Sequence, residues 1–348
     1  MCGIGGFSLS KNSRISPRSL SNALLTELDN RGNQASGFAY QSKTESGVFK
    51  KDVAGARLNL KRMPKNAKDV ILHTRYATHG TIKDMANNHP IQSPDKTINL
   101  VHNGVIYNHT VVRKSLDAKL PEVDTSVIPA ILQQFNRDTD KFSMLEGDAA
   151  VAWLDDSNRG KLRLARISHS PLVICQLKDG SFVFASTEAI LRKALNSLGL
   201  EIDFIAQVAE RKLLTVKNGR LDEMTDLPEM DMAFADTTSW NYASYRDMTS
   251  GGHGQTAKQE PTTPIKSIWG DIAVPNSWFS NPNQDDFYPP IEGLFVNEYG
   301  EYFDENNVFI GDIDDMVDWG FVDYDGNILG SYNSSFNLAT GYEWDTAY

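Results

Sequence analysis

The chain has 348 residues, 40% of them hydrophobic, enough to bury one large core or two smaller ones. Its net charge of −11 is uneven: residues 231–348 carry 20 acidic and three basic side chains, a net −17, and residues 1–230 carry 31 basic and 25 acidic, a net +6. The acidic segment excludes nucleic-acid binding through the tail, the lack of a long apolar run excludes a membrane-spanning helix, and two cysteines exclude a disulfide framework.

The chain opens Met1-Cys2-Gly3-Ile4-Gly5-Gly6-Phe7. Ile4 and Phe7 suit a first strand packed on a core, and Gly3, Gly5 and Gly6 leave room for close backbone approach to a ligand. No charged segment precedes an apolar one, so no signal peptide is expected and a cytoplasmic location is. If Met1 is removed, Cys2 becomes the N-terminus and carries a thiol nucleophile and a free α-amine on one residue. That amine titrates near neutral pH and can act as base, the minimum for acyl transfer. Taken alone, Cys2 is equally well a small residue in a frayed terminus.

Ser16 is placed to cap a helix with Pro17 at its first position, and Leu20, Leu24, Leu25 and Leu28 form its apolar stripe. The run Asn30-Arg31-Gly32-Asn33-Gln34 ends it. Gly37–Tyr40 and Gly47–Phe49 read as a hairpin. Val70-Ile71-Leu72-His73-Thr74-Arg75-Tyr76-Ala77-Thr78-His79-Gly80 starts as a buried strand and becomes a polar loop. A turn-rich segment containing Asn87-Asn88-His89-Pro90-Ile91 follows it. Ile98–His102 reads as a strand that stops at a turn, Asn103-Gly104. An Asn-Gly pair also sets an amide side chain beside a backbone N–H, which suits an oxyanion, although by itself it reads as an ordinary hairpin turn.

A helix is expected from Asn108 to about Ala118. Asp124-Thr125 is placed to cap a longer one with apolar Val127, Ile128, Ile131, Leu132 and Phe135. Strands follow at Gly147–Leu154, Leu162–Ile167, Leu172–Leu177 and Phe182–Ala185, then a helix capped by Ser186-Thr187-Glu188 and a strand at Lys212–Val216 with Gly219 in the turn after it. Strands, central helices and strands again describe a layered α+β domain ending near residue 230. His73, His79, His89 and His102 match no metal-ligand spacing and read as structural hydrogen-bonders, so no metal or cofactor is expected.

Met1-Cys2-Gly3-Ile4-Gly5-Gly6, Arg31-Gly32-Asn33-Gln34-Ala35-Ser36-Gly37, His73–Gly80, Asn88-His89-Pro90, Val101-His102-Asn103-Gly104 and Asp124-Thr125 occur in this order. Together they resemble the class II glutamine amidotransferase domain, an N-terminal-nucleophile hydrolase, over roughly residues 2–230. The resemblance implies a four-layer αββα sandwich and hydrolysis of L-glutamine to glutamate and ammonia. It implies that Cys2 attacks the side-chain amide and that Asn103 and Gly104 form the oxyanion hole. It further implies that Arg75 holds the substrate carboxylate, Asp124 its ammonium, that Thr78 and His79 lie in a loop closing over it, and that Arg31 lies in a turn near the nucleophile. A zwitterionic amino acid needs one fixed cation and one fixed anion, which Arg75 and Asp124 can supply. Alone, Arg75 reads as a surface salt bridge and Asp124 as a helix cap. The chain departs from the family at Gln34, where relatives carry Asp, and at Tyr76, where synthases often carry Trp.

Relatives feed ammonia to a second active site, and nothing after residue 230 resembles an acceptor domain, so a separate synthase subunit is expected. Two other readings are a hydrolase of another γ-glutamyl amide and a silent scaffold whose tail is the working part. Residues 231–290 read as linker-like. Residues 291–348 form an acidic aromatic tail, in which Gly293–Gly300 and Gly320–Gly326 read as small hairpins and whose aromatics suit protein contacts. Asp312, Asp314, Asp315 and Asp318 lack calcium-loop spacing and read as a solvated face.

Overall fold

A computed structural model describes residues 2–77 and 80–234, together with the backbone of short strands beyond. Thr78 and His79 lie outside the described residues, as do most of the linker-like and tail segments and the Gly320–Gly326 hairpin.

The first half of the chain runs β1 (Gly3–Ser8), α1 (Pro17–Leu28), β2 (Ala35–Gln41), β3 (Ser46–Lys51), β4 (Asp69–Arg75), β5 (Ile91–Gln92), β6 (Ile98–Ile106), α2 (His109–Lys114) and α3 (Val127–Gln134). The second half adds β7 (Gly147–Asp155), β8 (Leu162–Ser168), β9 (Val173–Leu177), β10 (Phe182–Ala185), α4 (Glu188–Asn196), β11 (Ile202–Val208), β12 (Lys212–Lys217), β13 (Arg220–Asp226) and β14 (Phe279–Ser280). One antiparallel sheet has the order β14-β11-β9-β10-β1-β4-β2-β3, and the other β13-β12-β8-β7-β6-β5.

Alternation along the strands assigns the layers. Ile4, Ile71, Ala150, Ala152, Leu154, Leu162, Leu164, Ile174 and Phe184 fill the space between the sheets. Their neighbours Phe7, Val70, Leu72 and Val183 point the other way, onto Leu20, Leu24, Leu25 and Leu28 of α1 and Leu191 and Leu195 of α4. On the far side Ala149, Val151 and Trp153 meet Val127, Ile128 and Ile131 of α3. The result is helices, sheet, sheet, helices. Ile71 is fully buried, and its truncation to alanine would cost about 2–5 kcal/mol.

The ends of α1 and α4 follow local chemistry. Ser16 Oγ accepts the Ser19 N–H, with Pro17 at the first position. Thr187 Oγ1 accepts the Ile190 N–H.

Several sequence expectations fail for identifiable reasons. Asn103-Gly104 is not a turn: β6 runs through it to Ile106, paired residue by residue with β7. The helix after Asn108 spans only His109–Lys114, and the Asn108 amide instead bonds Met144 O, Phe234 O and the Glu146 N–H. Asp124 caps no helix, since it opens a 3-10 turn at Asp124–Ser126 and spends a carboxylate oxygen on Ile106 N. The space beside Gly3 and Gly6 is taken by Thr74, Leu28 and Phe184, so these glycines admit the chain's own neighbours and not a ligand. β13 was not expected, because its sequence, RLDEMTD, buries only Leu221 and suits an exposed edge strand.

The compact unit containing β1–β14 extends to Ser280, where Phe279–Ser280 pairs with Gln207–Val208. Asn281–Tyr348 forms a second unit. Its described pieces are an antiparallel sheet of Phe295–Val296, Glu301–Phe303 and Phe309–Asp312, and a pair formed by Phe336–Asn337 and Tyr342–Glu343. Among the described residues no helix is long and apolar enough to cross a membrane.

Candidate active site

Cys2 stands at the head of β1, which is paired on both sides, with β4 and with β10. The register Gly3↔Thr74 brings Cys2 to the Arg75–Tyr76 end of β4. Its thiol donates to Tyr76 O at 3.5 Å, and Arg31 Nε donates to Cys2 O at 3.0 Å. Two residues on, Ser186 fixes the strand: its Oγ accepts the Ile4 N–H at 3.0 Å, and its N–H donates to Ile4 O at 2.9 Å. Burial raises the thiol pKa; the Tyr76 contact and the nearby Arg75 charge pull it down by less, and Asp124 adds to the rise. The resting group is therefore a thiol, and a base must take its proton before it can attack.

Arg75 is 2% exposed and no surface salt bridge. Its guanidinium donates to Asn88 Oδ1 at 2.6 Å and Gly80 O at 3.0 Å. Burial lowers its pKa, and Cys2 and Asp124, both in electrostatic range, oppose that shift. Asp124, itself buried, accepts the Ile106 N–H at 2.8 Å. A thiol, a fixed cation and a fixed anion thus share one electrostatic neighbourhood, although they come from three separated stretches of chain.

Asn103 and Gly104 arrive from the second sheet, whose β6 lies against β1 and β4. Asn103 is buried, and its Nδ2 has no hydrogen-bond partner. An unpaired buried amide donor costs about 1–3 kcal/mol. Gly104 has φ +136°, and a Cβ there would meet Asp148 O at 1.7 Å. Only glycine lets β6 and β7 stay paired at this point.

Behind these groups lies a seam of histidines. His73 Nε2 donates to His102 O at 3.1 Å, and the His73 and His89 rings stack at 3.9 Å. His102 Nε2 lies 3.3 Å from Asp148 O and must donate there, which leaves Nδ1 to accept from Thr125 Oγ1 at 2.9 Å. His89 Nε2 lies 3.1 Å from the same hydroxyl. Burial is the main cause that lowers all three pKa values, His73 to about 3, and the unpartnered Nδ1 atoms of His73 and His89 fit neutral rings. The seam ties β4 to β6 and to the turn carrying Asp124. Each of the three imidazoles hydrogen-bonds another part of the protein, in line with the structural role the sequence suggested.

Gln34, at the position where relatives carry an acid, accepts the Ala77 N–H at 2.8 Å, and its own N–H donates to Arg75 O at 3.1 Å. The amide therefore keeps an acceptor on the loop after Arg75 without the charge. Lys50 was missed by the sequence reading. Its Nζ donates to Asn88 O at 2.7 Å and Pro90 O at 3.1 Å. Nothing local in Ser46–Lys51 signals this, because the carbonyls come from about 40 residues later in the chain.

This layered fold, two antiparallel sheets between helices, has a counterpart among solved structures. It is shared with the glutamine phosphoribosylpyrophosphate amidotransferase from B. subtilis (TM-score 0.53, 19% identity, 65% of this chain and 49% of that one). Over part of its length the sequence is similar to glutamine amidotransferases. Residues 73–193 match the family described as Glutamine amidotransferase domain. The glutamine–fructose-6-phosphate aminotransferase (isomerizing) of Clostridium acetobutylicum is 32% identical over 205 residues, 55% of this chain and 32% of the relative. That of Fusobacterium nucleatum is 27% identical over 263 residues, 70% of this chain and 42% of the relative. The chain thus spans well under half the length of these curated relatives.

Proposed function

We propose that this chain hydrolyses L-glutamine to glutamate and ammonia through a thioester on Cys2, exposed as the N-terminus by loss of Met1. The observation that carries this reading is the convergence of Cys2, Arg75 and Asp124, with an unpaired Asn103 amide on the adjoining strand. Arg75 receives the α-carboxylate and Asp124 the α-ammonium, which aims the side-chain amide at the thiol. The α-amine of Cys2 removes the thiol proton, directly or through one water. Sulfur bonds the amide carbon, and the Asn103 amide and the Gly104 N–H hold the oxyanion. The C–N bond breaks, ammonia leaves with the proton returned by the amine, and water then cleaves the thioester to give glutamate. Arg31, on the Cys2 carbonyl, steadies the nucleophile's backbone. Thr78 and His79, between Arg75 and Gly80 in the sequence, are proposed to close over the substrate.

The ammonia passes to an acceptor synthase. The names of curated relatives describe amino transfer to a sugar phosphate, which supports an acceptor for the ammonia. The acidic aromatic tail is the proposed contact.

Intact-mass analysis before and after 6-diazo-5-oxo-L-norleucine tests the reading. Loss of Met1 and one adduct, absent in Cys2→Ala, is the expected result. A retained Met1 with no adduct would instead favour a silent scaffold.

A further inference from the structure

We propose that Lys50 is a positioning residue for glutamine recognition, holding the Arg75 guanidinium in its substrate-binding pose through Asn88. The inference rests on the glutaminase reading above and names a determinant of its substrate affinity.

Lys50 lies near the end of β3, the edge strand of the first sheet, opposite Gly37 of β2. The Asn88–Pro90 segment is laid across this edge. Gly37 permits the approach, since a Cβ there would meet His89 O at 2.1 Å. The half-buried Lys50 ammonium reaches up and donates to the two carbonyls flanking His89, Asn88 O at 2.7 Å and Pro90 O at 3.1 Å. The clamped Asn88 then uses both ends of its side chain. Oδ1 accepts from Arg75 Nη1 at 2.6 Å, and Nδ2 donates to Ile82 O at 2.7 Å. Arg75 also donates to Gly80 O at 3.0 Å. One ammonium therefore anchors a chain of hydrogen bonds that ends on the guanidinium and on the Gly80–Ile82 segment.

The arrangement has a consequence for substrate binding. A guanidinium grips both oxygens of a carboxylate only while its plane is fixed. With Lys50 truncated, two carbonyls lose a charge-assisted donor and the Asn88 side chain loses its footing. Arg75 keeps its charge and loses its aim. The charged and titratable groups facing Lys50 are Asp84, Arg75 and His89. Burial is the largest cause that lowers the Lys50 pKa, to about 8, against the opposing pull of Asp84. The clamp is therefore charged at neutral pH and loses its proton under mildly alkaline conditions.

The test is steady-state glutaminase kinetics of the full chain across pH, with Lys50→Met, Lys50→Arg, Asn88→Ala and the Lys50→Met/Asn88→Ala double variant. KM for glutamine should rise about tenfold in Lys50→Met, with kcat changed less than about threefold, because only ground-state and transition-state positioning in common is lost. Lys50→Arg should restore part of the affinity. The double variant should be no worse than the poorer single, since both act through one chain of bonds. Wild-type KM should climb between about pH 7.5 and 9, and this needs no variant to fold. Additive KM effects, or a pH-independent wild-type KM together with a normal KM in Lys50→Met, would overturn the proposal while leaving the glutaminase reading intact. A wild-type chain without glutaminase activity would overturn both.

Discussion

The Asp124 carboxylate takes the Ile106 N–H at 2.8 Å, and this one bond joins the turn carrying the proposed substrate anion to the strand carrying Asn103. The two roles of the carboxylate are separable. Asp124→Asn keeps an acceptor for Ile106 and removes the charge. Its thermal midpoint should stay within a few degrees of wild type while KM for glutamine rises at least about tenfold. Asp124→Ala should lose both, with about 1–3 kcal/mol of stability gone as the buried N–H is left unpaired. Equal kinetics for Asp124→Asn and wild type would remove the substrate role.

The unpaired Asn103 amide predicts a rate effect rather than an affinity effect. Asn103→Ala should lower kcat about 100- to 1000-fold with little change in KM, and unfolding in urea should show an equal or greater stability, because a buried unsatisfied donor is removed. Gly104→Ala should behave differently, failing to fold or losing several kcal/mol, because its methyl has to displace Asp148 O from 1.7 Å.

Acid should destabilise the fold through the histidine seam. His73, His89 and His102 have folded pKa values below the ordinary 6.5, so the unfolded chain binds more protons below that pH. Their contribution is complete above about pH 6.5 and is lost as pH falls. Asp69 works against this: burial raises its pKa to about 6, so it favours the folded state as pH drops through that value. Three histidines outnumber one aspartate, so the net effect is a loss of stability as pH falls below about 6. Urea midpoints measured at intervals from pH 7.5 to 5 check this, and a flat profile would falsify the neutral seam.

Cys175 is a built-in control for thiol chemistry. It is fully buried, and burial pushes its thiol up to about 12. Native protein should therefore take one iodoacetamide per chain, on Cys2, with the rate rising from pH 7 to 9 as thiolate forms. Peptide mapping that finds label on Cys175 in the folded state would contradict the burial.

Much of this was legible in the sequence where chemistry is local. The Leu20–Leu28 stripe, the Ser16 and Thr187 caps and the apolar run Val70–Leu72 depend on spacing alone, and they appear as read. The candidate site residues were legible only through the order of several motifs, because Cys2, Arg75 and Asp124 are brought together by strand pairing and layer packing that no local pattern encodes. Asn103-Gly104 was misread for the same reason. Its dipeptide favours a turn, but pairing with β7, whose Asp148 O approaches Gly104 closely, keeps it extended. Lys50 was illegible, and Gln34 was legible only as a departure from the family motif, because the contacts of both depend on which carbonyl or N–H a distant segment presents.

The central position of β1 has a consequence for the order of events during synthesis. Its partner β10 begins 174 residues after β1 ends, from Ser8 to Phe182. At roughly 5–20 residues per second, the ribosome needs about 9–35 seconds to make the intervening chain. Until then one flank of β1 lacks its partner. Removal of Met1, proposed above, thus has a window of many seconds before the eight-stranded sheet can close around β1.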